Sequence, residues 1–295
     1  MQQKPMDYLL INPSAGSSQD ADFWTQQLEA HGVRPKVCDS GDYEALPDLK
    51  EHDRLLVAGG DGTVSRYAAW CADRGCILGI LPGGTGNDFA RGLEIPLEAE
   101  AACATIANGI VREVDIAWVD DRRFLNVAHI GLGSEISMQA QQQTKQWWGR
   151  FSYAKTLLAK IERRRGFKAI IECDGQRRRG RWLEIAVANG RSFGGGHEVF
   201  EAAVDDGELN VIAIRPRSLW HLFKVWTIAQ LRGATPDDRA IVKMRGANIT
   251  VTGGSAKTVS ADGEHVGSVP VRFNVEHRAL RVITPVMHNA MEDAA

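Results

Sequence analysis

Two stretches of the chain combine glycines with groups that handle phosphate. Gly59-Gly60-Asp61-Gly62-Thr63 follows the apolar run Leu55-Leu56-Val57-Ala58, and Gly83-Gly84-Thr85-Gly86-Asn87-Asp88 follows Ile77-Leu78-Gly79-Ile80-Leu81. Glycine lets the backbone take φ > 0 and approach a ligand closely. A helix that starts just beyond such a turn presents N–H groups and a positive dipole end, and phosphate suits both. Asp61 inside the first turn would repel bare phosphate, so a cation between them, Mg²⁺, is implied. One such turn is compatible with a plain tight bend; two in succession argue for phosphate chemistry. No Lys-Ser/Thr follows the glycines and no Gly-x-Gly-x-x-Gly occurs, which excludes the Walker A and dinucleotide patterns. A third polar stretch, Ser260-Ala261-Asp262-Gly263-Glu264-His265, reads on its own as a polar hairpin turn.

These residues need elements to position them. The two apolar runs have strand length, and Val64 to Trp70 and Asn87 to Leu93 read as helix starts. Tyr8 to Ile11 is a short strand running into Asn12-Pro13-Ser14-Ala15-Gly16, with Ser17 and Ser18 available to cap a helix over about Gln19 to His31. Lys36 to Cys38 makes another strand and Tyr43 to Leu49 a short helix. Residues 1–110 therefore predict an α/β domain with a parallel sheet, its three turns at the strands' carboxyl ends, where ligands bind. Asn87 and Asp88 would brace the second turn.

From Val111 the pattern changes. Val114 to Val119, Phe124 to Ile130, Ala169 to Cys173, Trp182 to Ala188, Leu209 to Ile214, Asn248 to Thr252, Val271 to Val275 and Leu280 to Ile283 are short runs punctuated by Gly, Asp and Asn. Residues 111–295 predict a mostly antiparallel, β-sandwich-like second domain, its last residues free to return to the first, with the active site expected in the interdomain cleft. Two helical segments interrupt it. Phe151 to Ile161 has one apolar face, and Leu219 to Leu231 carries Trp220, Phe223 and Trp226 as core packing or as an apolar lip beside a lipid entrance.

Composition sets bounds. Of 295 residues 44% are hydrophobic and 24% charged, ordinary for a soluble protein with two cores, and the net charge of −2 gives no global attraction to nucleic acid or membrane. Locally the balance differs: from Lys145 to Arg181 twelve Lys and Arg face three acids, Glu162, Glu172 and Asp174, with Trp147-Trp148 at the edge. That stretch suits an anionic membrane surface, at about 1 kcal/mol per close charge, or a solvated basic face. No nucleic-acid motif accompanies it, so nucleic acid is not an expected partner. The five cysteines, odd in number and without metal spacing, read as reduced thiols. No apolar stretch approaches the ~20 residues of a membrane span, which predicts a cytoplasmic protein with peripheral membrane contact.

Gly59 to Thr63, and Leu81-Pro82-Gly83-Gly84-Thr85-Gly86-Asn87-Asp88-Phe89-Ala90-Arg91, closely resemble the signatures of the diacylglycerol kinase catalytic-domain superfamily, bacterial lipid-kinase branch. The first motif is shared with NAD kinases and sphingosine kinases; the second belongs to the lipid kinases. The resemblance implies an ATP-dependent, Mg²⁺-requiring transfer of phosphate to a hydroxyl of a membrane lipid, diacylglycerol or a related glycerolipid first, phosphatidylglycerol or a sphingoid base next. A soluble NAD kinase and a catalytically silent nucleotide or lipid sensor are the competing readings.

Residue by residue, the resemblance assigns ATP contacts to Asn12, Ser40, Gly59, Gly60, Asp61, Gly62, Thr63, Val64, Ser65, Gly84 and Thr85. It makes Glu264 the catalytic base, with Asp262 its neighbour and Asp61 the holder of Mg²⁺. A carboxylate there can accept the hydroxyl proton as the phosphoryl group arrives. In Val204-Asp205-Asp206-Gly207-Glu208 it implies a structural Mg²⁺ on Asp206 and the carbonyls of Ala203 and Glu208. Asn189 to Gly196 matches a glycine-rich turn near the lipid. Departures from the pattern are Ser65 and Arg66, in place of Asn and Glu, and Glu135, in place of an Asp that would meet the lipid head group.

Overall fold

The computed structural model describes residues 5–11, 19–38, 46, 48–134, 166–190, 192–193, 197–198, 203–218, 220–222, 224, 227 and 238–286. Asn12, Ser40, Glu135, the cations from Lys145 to Arg165, Ser17 and Ser18, the Phe151 to Ile161 helix and most of the Tyr43 to Leu49 and Leu219 to Leu231 segments lie outside the described residues. The chain divides into two units: Met1–Val114 with Gly194–Gly196 and Arg278–Ala295, and Asp115–Phe193 with His197–His277.

The first unit contains β1 (Asp7–Ile11), α1 (Ala21–Ala30), β2 (Lys36–Cys38), β3 (Arg54–Gly59), α2 (Asp61–Arg74), β4 (Ile77–Pro82), α3 (Asp88–Gly92) and α4 (Ala99–Asn108). Then β5 (Ile110–Val119) leads into the second unit. That unit holds β6 (Arg122–Phe124), β7 (Val127–Gly131), β8 (Phe167–Cys173), β9 (Gln176–Trp182), β10 (Glu184–Ala188), β11 (Ser192–Phe193), β12 (His197–Glu198), β13 (Leu209–Ile214), β14 (Ile241–Gly246), β15 (Asn248–Gly253), β16 (Thr258–Ala261) and β17 (Glu264–Ser268). Finally β18 (Val271–Thr284) starts in the second unit and ends in the first.

In the first unit β2, β1, β3 and β4 pair in that order, all parallel, and Arg281 and Val282 of β18 add a parallel strand beyond β4. Leu55, Leu56 and Val57 are wholly buried, as continuous apolar runs are when helices cover both faces of a parallel sheet. The α1 cap is Asp20, whose Oδ1 accepts the Phe23 N–H at 2.9 Å. The helix expected from Gln19 accordingly begins at Ala21.

A larger correction concerns α2, which starts at Asp61 and not at Val64. Gly60 is its extended N-cap (φ −90°, ψ −178°), so Asp61, Gly62 and Thr63 form the first helical turn. The helix α4, which the sequence reading did not identify, buries Ala102, Cys103 and Ile106 against the sheet core.

In the second unit β14, β13, β10, β7, β16 and β17 form one antiparallel sheet. The start of β18 pairs with β15, which continues to β8 and β9, also antiparallel. Ile130, Val187 and Val211 from the first of these sheets share a buried cluster with Ile171, Val251 and Phe273 from the other. Trp182 is fully buried in that cluster, and its Nε1 donates to Ala169 O at 3.2 Å. This is the expected α/β domain followed by a β-sandwich-like domain. The run Phe124 to Ile130 divides into two strands, as does Trp182 to Ala188, whereas Val271 to Val275 and Leu280 to Ile283 join into one.

Two hairpins turn on Asp-Gly: Asp174 (φ 42°) with Gly175 (φ 82°), and Asp262 (φ 45°) with Gly263 (φ 88°). Positive φ at both central residues is the type I′ geometry that matches strand twist. All five cysteines are free, and burial pushes the Cys103 and Cys173 thiols up to about 11, which keeps them neutral packing groups. No helix among the described residues is long and apolar enough to cross a membrane.

Candidate active site

In the first unit the two glycine turns lie against each other. A Cβ on Gly84 would stand 2.5 Å from Gly60 Cα, and one on Gly60 would stand 3.1 Å from Gly84 Cα. The Gly83 N–H donates to Gly59 O at 2.9 Å, carrying the β3–β4 register into the turns. Asn87 takes the left-handed conformation (φ 51°) and closes the second turn on itself: its Oδ1 accepts the Gly84 N–H at 2.9 Å, and its Nδ2 donates to Gly84 O at 2.8 Å. Arg91 Nε adds a bond to Gly86 O at 3.0 Å.

Asp61 joins the turns from the helix side. Its Oδ1 accepts the Phe89 N–H at 3.2 Å, and a Cβ on Gly86 would meet its Oδ2 at 2.8 Å. The carboxylate therefore stands between the two loops at the N-terminus of a 14-residue helix. Asp61 offers the hard carboxylate oxygens that Mg²⁺ takes, while no group of three or more His, Cys, Asp or Glu placed to hold a metal occurs among the described residues. Thr63 and Val64 donate their N–H groups to Gly60 O, inside the helix, and Val64 is buried. Gly60 caps this helix and meets Gly84 of the second turn, beside an exposed Thr85.

Gly84→Ala tests this packing. Backbone faces the new methyl, so we expect a loss of about 1–3 kcal/mol of stability. A thermal melt beside the parent measures the loss. A variant that melts with the parent would contradict the close approach.

In the second unit Glu264 opens β17 at the tip of the β16–β17 hairpin, paired with Ala261 and exposed. Asp262 is held against the chain between β6 and β7. Its Oδ2 accepts the Leu125 N–H at 2.7 Å, and its Oδ1 accepts those of Asn126 at 3.0 Å and Val127 at 3.2 Å. Asp262 N–H also donates to Val127 O at 3.0 Å.

Asp174 does the same for the other hairpin, where the Ala247 and Asn248 N–H groups bond its carboxylate and lower its pKa despite desolvation. Asp262 thus has a bracing geometry, with its acceptors turned to the β6–β7 loop. Asn189 supports the same loop, through Nδ2 to Leu125 O at 3.0 Å and to Asp115 O at 3.1 Å. Neither Asn189 nor Asn126 suggests this role by type, because their partners are far away in sequence.

Around the expected structural ion, Asp206 Oδ1 accepts the Glu208 N–H at 2.9 Å and Oδ2 the Ala203 N–H at 3.3 Å. Arg245 pairs with both Asp206 and Glu208. Ahead of Glu135, Gly133 donates its N–H to Glu184 Oε2 at 2.6 Å, and His129 Nδ1 lies 2.9 Å from Glu184 Oε1.

Comparison with known proteins agrees with both halves. A family profile described as the diacylglycerol kinase catalytic domain matches residues 8–119, and one described as the YegS C-terminal NAD kinase beta sandwich-like domain matches residues 126–284. The chain belongs to the bacterial lipid-kinase branch of the diacylglycerol kinase catalytic-domain superfamily. Within this family, the diacylglycerol kinase of Bacillus subtilis (strain 168) is 30% identical over 241 residues, covering 80% of this chain and 79% of its own. A probable lipid kinase YegS-like protein of Pseudomonas aeruginosa (strain UCBPP-PA14) is 34% identical over 234 residues, covering 78% and 76%.

A crystal structure of a diacylglycerol kinase from Bacillus anthracis str. Sterne superposes with a TM-score of 0.71 over 96% of this chain and 98% of its own. At 22% identity that likeness speaks for the fold. Family membership supports a lipid-kinase-like function for the chain.

Proposed function

We propose that the protein is an ATP-dependent lipid kinase that transfers the γ-phosphate to a hydroxyl of a membrane lipid, with diacylglycerol the first candidate and phosphatidylglycerol or a sphingoid base next. The observation that carries the reading is the pair of glycine loops in contact at Gly60 and Gly84, with Asp61 between them at the start of α2. N–H groups and the helix dipole hold the phosphates there, and Asp61 would hold the Mg²⁺ that neutralises their charge when bound. A second, structural Mg²⁺ on Asp206 and the carbonyls of Ala203 and Glu208 would lie beside Arg245 and order the second unit.

Glu264 is the proposed base. It accepts the proton of the lipid hydroxyl as the hydroxyl oxygen bonds to the γ-phosphorus. The bond from that phosphorus to the bridging oxygen breaks, and ADP leaves. Asp262 positions the hairpin that carries Glu264. Exposure of Glu264 at the hairpin tip suits a group that must meet a substrate. The protein would work from the cytoplasm on a membrane-borne acceptor.

Transfer of labelled γ-phosphate from ATP and Mg²⁺ to a panel of lipids in mixed micelles, with NAD alongside, tests the reading. Label should enter one lipid class. Label in NAD alone would favour the NAD kinase reading, and ATP binding with no transfer to any acceptor would favour a silent sensor.

A further inference from the structure

The second unit carries a charged surface that phosphoryl transfer does not use. β9 is the edge of its sheet, and its register with β8 sets Arg177, Arg179 and Arg181 opposite Glu172, Ile170 and Lys168. Side chains alternate across a strand, so these six share the face turned away from the buried Phe167, Ala169 and Ile171. Four exposed cations thus stand with one carboxylate, in a chain whose net charge is −2.

Two grooves share Arg181. One, of about 560 Å³, is lined by Lys168, Arg179, Arg181 and the Thr252–Gly254 backbone. The other, of about 500 Å³, is lined by Arg181, Arg215, Pro216 and Arg217. Arg215 is held 5.0 Å over the Trp182 ring.

Charged edge strands discourage edge-to-edge pairing, but that need explains neither the grooves nor the gathering of cations beside Arg215 and Arg217. Three residues beyond Arg217, Trp220 leaves 76% of its surface exposed. The segment holding it is fixed by His221, whose Nε2 lies 2.9 Å from Asp238 Oδ1. An exposed indole is a side chain enriched at membrane interfaces. The seven residues of β9 span roughly 20 Å, wide enough for several head groups.

We propose that these grooves seat the phosphates of anionic phospholipids, and that the arginine face together with Trp220 docks the protein on a membrane surface. The choice of a membrane as occupant rests on the lipid-kinase reading; the residues and their charge do not. Guanidinium forks match phosphate oxygens two at a time.

Co-sedimentation with phosphatidylcholine vesicles, with and without phosphatidylglycerol, tests the proposal. The intact protein should partition onto the anionic vesicles only, and release at high salt. A Lys168→Gln/Arg179→Gln/Arg217→Gln variant, altered only at exposed side chains, should partition about 100-fold more weakly. Trp220→Ala should weaken it by about several-fold. Both variants should keep transfer to a micelle-dispersed acceptor. Equal partition of the triple variant overturns the proposal. So does displacement of the wild type by millimolar inorganic phosphate or by RNA, which would make the grooves a free-phosphate or nucleic-acid site. Failure of the kinase reading would look different: vesicle binding intact, with no acceptor phosphorylated.

Discussion

Glu264→Gln is expected to lower kcat by about 10²–10⁴-fold, the usual worth of a positioned general base, while stability stays within about 0.5 kcal/mol of the parent. Both halves follow from its place. Glu264 is exposed at the first residue of β17, so the amide replaces no buried contact. Gln keeps the shape and cannot take the proton. KM for ATP should be nearly unchanged, because the nucleotide site proposed above lies at the Gly60 and Gly84 loops. Steady-state kinetics beside a thermal melt settle the matter; loss of folding and activity together would assign Glu264 a structural task.

Asp262→Ala should do the reverse and cost about 3–5 kcal/mol, since each buried N–H left without an acceptor costs about 1–3 kcal/mol. Three such groups, on the buried residues Leu125, Asn126 and Val127, lose their partner at once. Alanine also fits the left-handed conformation at this position poorly. Asp262→Asn keeps one acceptor oxygen and tolerates that conformation, so it should fall between, about 1–2 kcal/mol below the parent. Denaturant melts of the two variants measure the effect. If Asp262 were instead the proton acceptor, Asp262→Asn would abolish turnover with an unchanged melt.

These two residues show what the sequence could tell and what it could not. The Asp-Gly pair announces its hairpin by local chemistry alone, because few other residues accept φ > 0 twice in succession. The carboxylate's task was hidden, since its N–H partners lie 135 to 137 residues upstream. The strands β3 and β4 were legible as unbroken apolar runs. β9 was not, because it is an edge strand: among Gln176 to Trp182 only Trp182 is buried, and four arginines mask any alternation. The start of α2 was placed three residues late because Gly62 disfavours a helix. Contact between Gly60 and Gly84 overrides that preference and sets the helix at Asp61. Arg245 gave no signal of its own: its pairing with Asp206 and Glu208 arises only when β14 lies beside β13.

We propose that Asp61 and Glu264 serve one phosphoryl transfer. Measuring kcat for Asp61→Asn, Glu264→Gln and the double variant tests it most directly. Joint action on one step predicts that the double variant is about as slow as the slower single one, as for residues that work as a unit. Losses that multiply in the double variant, or a Glu264→Gln protein that turns over at the parent rate, would contradict it.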